Sequence, residues 1–474
     1  MTTDPKGPRM TRQRWTLLVV CAATAMLMLD IAVVNTALSA IADDLDAGLT
    51  GLQWVVDAYT VALAAVVLTA GSLADRLGRK RVFIAGLALF TVSSAACALA
   101  NDIVMLDVAR AVQGLGAAAM FAVSLALLAD AFPGDEERAG ALAAYGATIG
   151  AAFAFGPLVG GALTTGLGWE WIFLINVPVG LAIIAVTLLK VRESVDPLAR
   201  PVDWAGQAAL GVALLLIVTG LLRGNEEGWG STQIVAMLGG GAAMLLVFGL
   251  IERRVAHPML PLGLFRNPTF TGAQVAAFAI SASFFAVFLY TTLYLQQILG
   301  LSAIEAGLVY LPGTIIMFIV SGATASLGDR LSHPAMVTIG LLLVGAGMAM
   351  GVLLQVDSAW TMMLPITVVA LIGTGLFNPA VSALALRAVP MRDAGLAAGV
   401  NDTFRQAGIA VGVAGLGALF PAGSALGGGD PQGFVDGLHE ASIVCAVIAV
   451  SGAVIFAALM ARRAPALEAV PEAA

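Results

Sequence analysis

Long apolar runs, sparse charge and an alternation of basic and acidic loops predict an all-α polytopic membrane protein with about fourteen spanning helices. Of the 474 residues, 59% are hydrophobic and only 11% are charged, and the mean hydropathy is +0.95. Those values lie well outside the range of soluble globular chains. The apolar runs are about twenty residues long, the length at which a helix crosses a hydrocarbon core.

The first six runs lie near 15–40, 52–74, 82–100, 103–129, 139–165 and 170–190. Two more lie near 204–222 and 232–251, and the last six near 270–298, 304–326, 335–354, 360–386, 404–424 and 438–461. Lys6, Arg9, Arg12 and Arg14 precede the first run and imitate a signal peptide. That run is too long for one and contains Asp30, so it is expected to stay as an uncleaved first span. Loop charge supports an even count. One set of loops carries Arg76, Arg79, Lys80 and Arg81, then Lys190, Arg192 and Arg200, then Arg253, Arg254 and Arg266, then Arg330, Arg387 and Arg392, with Arg462 and Arg463 after the last run. The other set carries Asp43, Asp44, Asp46, Asn101, Asp102, Glu226, Glu227, Asp357, Asp430 and Asp436, with Arg223 as its cation. Basic loops are retained inside, which puts both termini in the cytoplasm, and one missed or invented helix would invert every later loop.

A repeat sets the domain plan. Ser72-Leu-Ala-Asp-Arg-Leu77 recurs as Ser326-Leu-Gly-Asp-Arg-Leu331, each after the second helix of a group of six, and Gly114-Leu-Gly116 is echoed by Gly373-Thr-Gly375. The economical division is a cytoplasmic N-terminus (1–14), a six-helix bundle (15–190), a linker with two additional helices (191–269), a second six-helix bundle (270–461) and a cytoplasmic tail (462–474). Within the linker, Pro258 to Pro268 reads either as an amphipathic surface segment or as a plain connection.

Composition also narrows function. The net charge of -7 is spread over loops and termini, so no basic footprint for nucleic acid exists. Cys21, Cys97 and Cys445 lie in apolar runs as small hydrophobes, and no His/Cys cluster has metal-ligand spacing. Phosphate-binding loops and nucleophile triads are absent from the sequence, which argues against an enzyme or an ATP-driven pump and leaves no cofactor to expect.

Gly71 to Arg81, GSLADRLGRKR, is a polar island between two spanning runs. Gly71 and Gly78 permit a sharp reversal, Asp75 can answer the cations, and Arg76, Arg79, Lys80 and Arg81 hold the turn inside. The string resembles the signature loop between the second and third helices of the major facilitator superfamily. A simple stop-transfer turn would need only the cations. At the matching place the second half has Ser332-His333-Pro334, so the basic cluster is lost there.

Further motifs place the resemblance in the fourteen-helix drug/proton antiporter group. Leu29-Asp30 to Leu38 resembles that group's first-helix motif. Asp30 lies about 22 Å from the inner end of its helix at 1.5 Å per residue, and an acid at that depth marks a proton or cation site unless it is structurally paired. Asn35 either lines the cavity or bonds a neighbouring helix. Asp57, beside Trp54 and Tyr59, is either an interfacial acid or, as the resemblance implies, one that faces the cavity. Asp107 and Arg110 share a helix face and either neutralise each other or, as the family pattern Arg110-Ala-Val-Gln113-Gly114 implies, couple to proton movement. Of these acids Asp30 is expected to be the main proton site, with Asp57 tuning charge recognition.

Gly146, Gly150, Gly156, Pro157, Gly160 and Gly161 in the fifth helix allow close helix contact and a kink. Their placement resembles the antiporter motif found in exporters. Asn401, Arg405 and Gln406, expected at the inner end of helix thirteen, resemble a family string that implies an inner gate; the alternative is a snorkelling arginine. Helices nine to twelve have no mid-span acid or base. Proton work is therefore expected in the first bundle, and substrate contacts from Phe284, Phe288, Tyr290, Tyr294, Gln297 and Asn378 together with Asn35, Trp54, Tyr59 and Gln113.

The resemblance implies a monomeric, proton-coupled efflux transporter in the cell membrane, exporting amphipathic or cationic drugs by alternating access. Two alternatives stay open: a dedicated exporter of one self-made metabolite, and a non-transporting receptor or scaffold.

Overall fold

The computed structural model describes residues 12–196, 201–328, 330–390, 393–421 and 429–461. Lys6, Arg9, Arg200, Asp329 of the second repeat, Arg392 and the tail with Arg462 and Arg463 lie outside the described residues.

Fourteen long helices run through the described chain. They are α1 (Arg12–Leu45), α2 (Leu49–Leu77), α3 (Arg79–Ala98), α4 (Ile103–Ala131), α5 (Asp135–Leu167), α6 (Asn176–Lys190), α7 (Trp204–Glu227), α8 (Thr232–Arg254), α9 (Pro268–Ile298), α10 (Ala303–Leu327), α11 (His333–Leu353), α12 (Trp360–Arg387), α13 (Ala394–Gly417) and α14 (Pro431–Ala461). Thirteen are long and apolar enough to cross a membrane, with α6 continuing a short preceding turn, Trp171–Leu174. The fourteenth, α13, has the length but carries Asn401, Asp402, Arg405 and Gln406 in its middle. A helix that polar is tolerated where protein, not lipid, surrounds it.

Helix α13 also corrects an expected boundary, because it begins ten residues before the expected start at 404. Ala394-Gly-Leu-Ala-Ala-Gly399 after Asp393 reads as a loop on composition, yet its small side chains let α13 lie against α2, where a Cβ on Gly399 would stand 3.0 Å from Leu68. Asn401, Arg405 and Gln406 consequently sit about 10–18 Å into the helix rather than at its end.

Helices α1 to α6 pack together, as do α9 to α14, and α7 lies across the seam in contact with both α2 and α13. The loops define two ends, a basic end at Arg76–Arg81 and an acidic end at Asp43, Asp44, Asp102 and Glu226. Along the seam α5 meets α10 on one stripe. A Cβ on Gly161 would stand 2.7 Å from Ile304 Cα, and one on Gly150 would be 3.4 Å from the Phe318 ring. Between them the Thr314 hydroxyl donates to Ala154 O (2.8 Å), and Gly307 abuts Pro157. One turn further toward the basic end, Gly146 and Gly322 meet nothing within 4 Å. The two helices therefore touch along the acidic half and part toward the basic end.

Candidate functional site

A buried polar cluster joins α1, α2, α3, α4 and α6. Asp30 Oδ2 pairs with Arg110 Nη1 at 2.6 Å, and both side chains are almost wholly buried. Asp30 Oδ1 accepts from Gln113 Nε2 (2.8 Å) and Asn176 Nδ2 (2.9 Å). Arg110 Nη1 also donates to Gln113 Oε1 (2.6 Å), Arg110 Nε donates to Val55 O (2.9 Å), and the guanidinium lies over the Tyr59 ring at 4.4 Å. Gln113 Nε2 donates onward to Ser94 Oγ (2.8 Å). Buried charges need both a partner and satisfied hydrogen bonds, and here each has them.

This geometry corrects one expectation and decides between two readings. Asp30 is not a lone acid; it is the anion of a tightly held ion pair. Arg110 turns away from Asp107, whose Oδ1 is buried without a partner, and reaches across to α1 instead. Gln113 and Tyr59, expected in the substrate cavity, are committed to this cluster.

Asp57 is the opposite case. The residue is fully buried, and neither carboxyl oxygen has a hydrogen-bond partner among the described residues. It lies about 12 Å from the acidic end of α2, with half-buried Trp54 nearby. Of the two readings the interfacial one does not hold, because α13 lies along this part of α2 and Tyr290 of α9 is bonded to it one turn away. One helical turn above Asp57, Gln53 Nε2 donates to Tyr290 OH (2.6 Å), and that hydroxyl donates to Val413 O. The Tyr290 ring stacks on Phe420 at 4.5 Å. Gln53, Tyr290 and Val413 thus form a latch at the acidic end, with Asp57 directly beneath it. Other bonds reinforce closure at this end: Gln296 Nε2 to Thr36 O (2.9 Å), Ile304 N to Thr165 Oγ1 (3.3 Å), and Asn225 Nδ2 of α7 to Ala418 O (2.8 Å).

The fifth-helix glycines explain how α5 serves both sides of the seam. A Cβ on Gly156 would collide with Ala32 of α1, and one on Gly160 would stand 2.8 Å from Val33 Cα, while Gly161 faces α10. Pro157 sits inside the helix between them.

Gly71–Arg81 is fastened by its own residues and by the first residues of the linker. Asp75 Oδ1 accepts from Arg79 Nε (3.0 Å) and Nη2 (2.9 Å). Arg79 N donates to Ser194 O (2.9 Å), and Asp196 N to Asp75 O (3.0 Å). Glu193 takes Lys80 N at 3.0 Å and lies 3.6 Å from Arg81 Nε. Gly78 has φ +111°, and a Cβ there would stand 2.7 Å from the Glu193 carboxyl. Arg76 is exposed.

The expected substrate residues do not converge on one place. Tyr290 belongs to the latch, and Tyr294 OH donates to Gln355 O (2.6 Å) near the acidic rim. Asn35 bonds its own helix at Ile31 O (3.2 Å), and Phe288 packs on Tyr310 at 4.5 Å. Phe284 packs edge-on against Phe285, which meets Phe153 of α5 across the seam at 5.6 Å and has the Arg405 guanidinium 5.8 Å from its ring. Gln297 is half-buried, and Asn378 Oδ1 is buried without a partner. In α13, Asn401 Nδ2 donates to Gln274 Oε1 (3.1 Å), while Gln406 Oε1 is buried and unpartnered.

Sequence reasoning missed Asn176, Ser94, Gln53 and Asp402. Asp402 is a further buried acid with an unpartnered oxygen, in the helix whose start was misplaced. Asn176 and Gln53 had a usable signal, each being an uncharged polar side chain in an apolar run.

The sequence profile of the Major Facilitator Superfamily matches residues 20–413. The chain belongs to the major facilitator superfamily. It is 35% identical to the multidrug resistance protein Stp of Mycobacterium tuberculosis, over 86% of this chain and 76% of that protein. It is 33% identical to a methylenomycin A resistance protein of Streptomyces coelicolor, over 85% of each chain, and 34% identical to the puromycin resistance protein pur8 of Streptomyces alboniger, over 95% and 91%. Among solved structures, the peptide transporter POT in complex with sulfate superposes with a TM-score of 0.66 at 15% identity, covering 94% of this chain and 95% of that one. That likeness bears on the fold alone. The chain is accordingly a multi-pass membrane protein of a transporter family, and its role is transport rather than catalysis.

Proposed function

We propose that this facilitator is a proton-coupled exporter of amphipathic or cationic antibiotics and toxic metabolites, working by alternating access, with the basic end in the cytoplasm. The observation that carries the coupling is Asp57, fully buried with both oxygens unpartnered beneath the closed latch. An unpaired carboxylate in a membrane interior is too costly to persist, so in this state Asp57 is the neutral acid. The related resistance proteins support a drug-like substrate class and outward transport.

The proposed cycle draws its support from the geometry. With the acidic end closed and α5 and α10 parted toward the basic end, substrate enters from the cytoplasm. Rocking the halves the other way separates Gln53 from Tyr290 and Val413, admits outside water to Asp57, and lets that acid exchange its proton as substrate leaves. The Asp30–Arg110 pair, neutral overall and held between α1, α2, α4 and α6, serves as a fixed structural tie rather than as the proton's carrier. This role replaces the sequence-based expectation that Asp30 carries the proton.

A narrower reading, a dedicated exporter of one metabolite, draws support from relatives named for single antibiotics. A panel of lipophilic cations, neutral antibiotics and aromatic metabolites tested for efflux from expressing cells separates the two. Broad energy-dependent efflux supports the multidrug reading, one exported compound supports the narrower one, and no proton-dependent flux of any compound refutes both.

A further inference from the structure

The two halves treat the same place differently. In the first half the N-terminus of α3 is closed by the protein's own anion: Glu193, three residues past α6, accepts from Lys80 N at 3.0 Å and approaches Arg81. By the internal repeat α11 corresponds to α3, α9 to α1, α12 to α4 and α14 to α6. Three residues past α14 the sequence has Ala464 where the first half has an acid. There Pro334 stands at the position of Lys80 and offers no N–H, and the structure has a cavity of about 320 Å³ between the starts of α9 and α11 and the end of α12.

The lining of that cavity is rich in donors. Arg387 and His333 face it, and neither side chain has a hydrogen-bond or ion-pair partner among the described residues. Thr269 also lines it; the residue is only 4% exposed, and its hydroxyl has no partner. The groups that would compete with a ligand are already engaged. Asn267 Nδ2 covers the Ala388 carbonyl (3.1 Å), Asn267 Oδ1 takes Thr269 N (2.9 Å), and Ser332 Oγ takes Ala335 N (3.4 Å). The lining contains no carboxylate. Both helix N-termini are capped by their own side chains and carry Pro268 or Pro334, which have no N–H, so what is left for a ligand is the exposed Arg387 guanidinium, the half-buried His333 imidazole and the unpartnered Thr269 hydroxyl.

We propose that this cavity binds a phosphate group. Arg387 supplies the charge and the two-pronged contact suited to phosphate oxygens, Thr269 Oγ1 donates from the wall, and His333 offers a ring N–H. The cavity opens at the basic end, level with lipid headgroups, so an anionic phospholipid and a soluble phosphate ester share the chemistry it recognises.

The test uses the full-length protein in phosphatidylcholine nanodiscs at constant ionic strength. It measures binding of phosphatidylglycerol by native mass spectrometry and of inorganic phosphate by isothermal titration. Arg387→Gln should weaken the bound species by about tenfold or more, as expected for a hydrogen bond to a charged group, and Thr269→Val by several-fold. Binding of the lipid alone identifies a headgroup site, whereas phosphate binding that competes with the lipid identifies a site for the free anion. If Arg387→Gln does not fold, the near-isosteric Thr269→Val and Arg387→Lys carry the comparison. Unchanged affinity in these variants overturns the proposal. So does binding that appears only after deletion of 462–474, because the chain's own Glu468 or Glu472 would then be the occupant.

Discussion

Asp30→Asn is the most informative perturbation of the buried cluster, since it keeps the shape and removes the charge. In the native arrangement Oδ2 faces Arg110 at 2.6 Å while Oδ1 faces Gln113 and Asn176 at 2.8 and 2.9 Å. An asparagine has one acceptor and one donor there. If its oxygen keeps Gln113 and Asn176, its amide N–H₂ points at the Arg110 guanidinium, donor against donor. Arg110 is then left with Val55 O, Gln113 Oε1 and the Tyr59 face to hold a buried charge. Breaking such a pair from one side costs about 3–5 kcal/mol. Removing both charges in a well-packed double variant, Asp30→Leu with Arg110→Met, should recover most of that loss. Denaturant unfolding of wild type, Asp30→Leu, Arg110→Met and the double variant in one detergent measures the cycle, with Asp30→Asn as the shape-conserving comparison. A single variant costing less than about 1 kcal/mol, within the range of an exposed ion pair, would refute the claim that this pair organises α1, α4 and α6.

Three further outcomes follow from the seam and the loop. Gly161→Leu should hold the acidic end ajar, because its side chain must displace Ala303 and Ile304; overpacking of about 1–3 kcal/mol shifts the two-state balance roughly 5- to 150-fold. Maleimide labelling of a cysteine at Asn35 from the acidic side, with the three native cysteines replaced, should rise accordingly, and unchanged labelling contradicts the assigned closure. Gly78→Leu strains a φ of +111° and displaces Glu193, so it should slow efflux at equal expression; unaltered efflux would make Gly71–Arg81 a mere turn. A reporter fused after Ala474 should be active only in the cytoplasm, and activity only outside would invert the assigned orientation.

Much of the fold was legible because membrane insertion depends on short-range properties. Span length and loop charge are read locally, which is why the even count and the limits of most helices could be taken from the residues. Helix α13 resisted because its first turns are Gly and Ala beside Asp393, a composition typical of loops, and its middle carries charge that only a protein-lined seam tolerates. The site was legible in its members but not in its pairings. Asp30, Asp57 and Arg110 stood out as ionisable groups in apolar runs. That Arg110 reaches Asp30 rather than Asp107 depends on how α1 and α4 cross, and no spacing along one helix encodes that crossing. The burial of Asp57 likewise depends on α9 and α13 covering the end of α2, residues more than two hundred positions away in the chain.

The central claim, that Asp57 carries the proton, is tested most directly by pH-driven transport in proteoliposomes of wild type, Asp57→Asn and Asp30→Asn, with proton flux and substrate flux recorded together. The proposed cycle predicts that Asp57→Asn folds normally and still allows substrate to run downhill, while proton counterflux and uphill efflux are lost. Uphill efflux by Asp57→Asn at the wild-type rate, with proton flux intact, would contradict it.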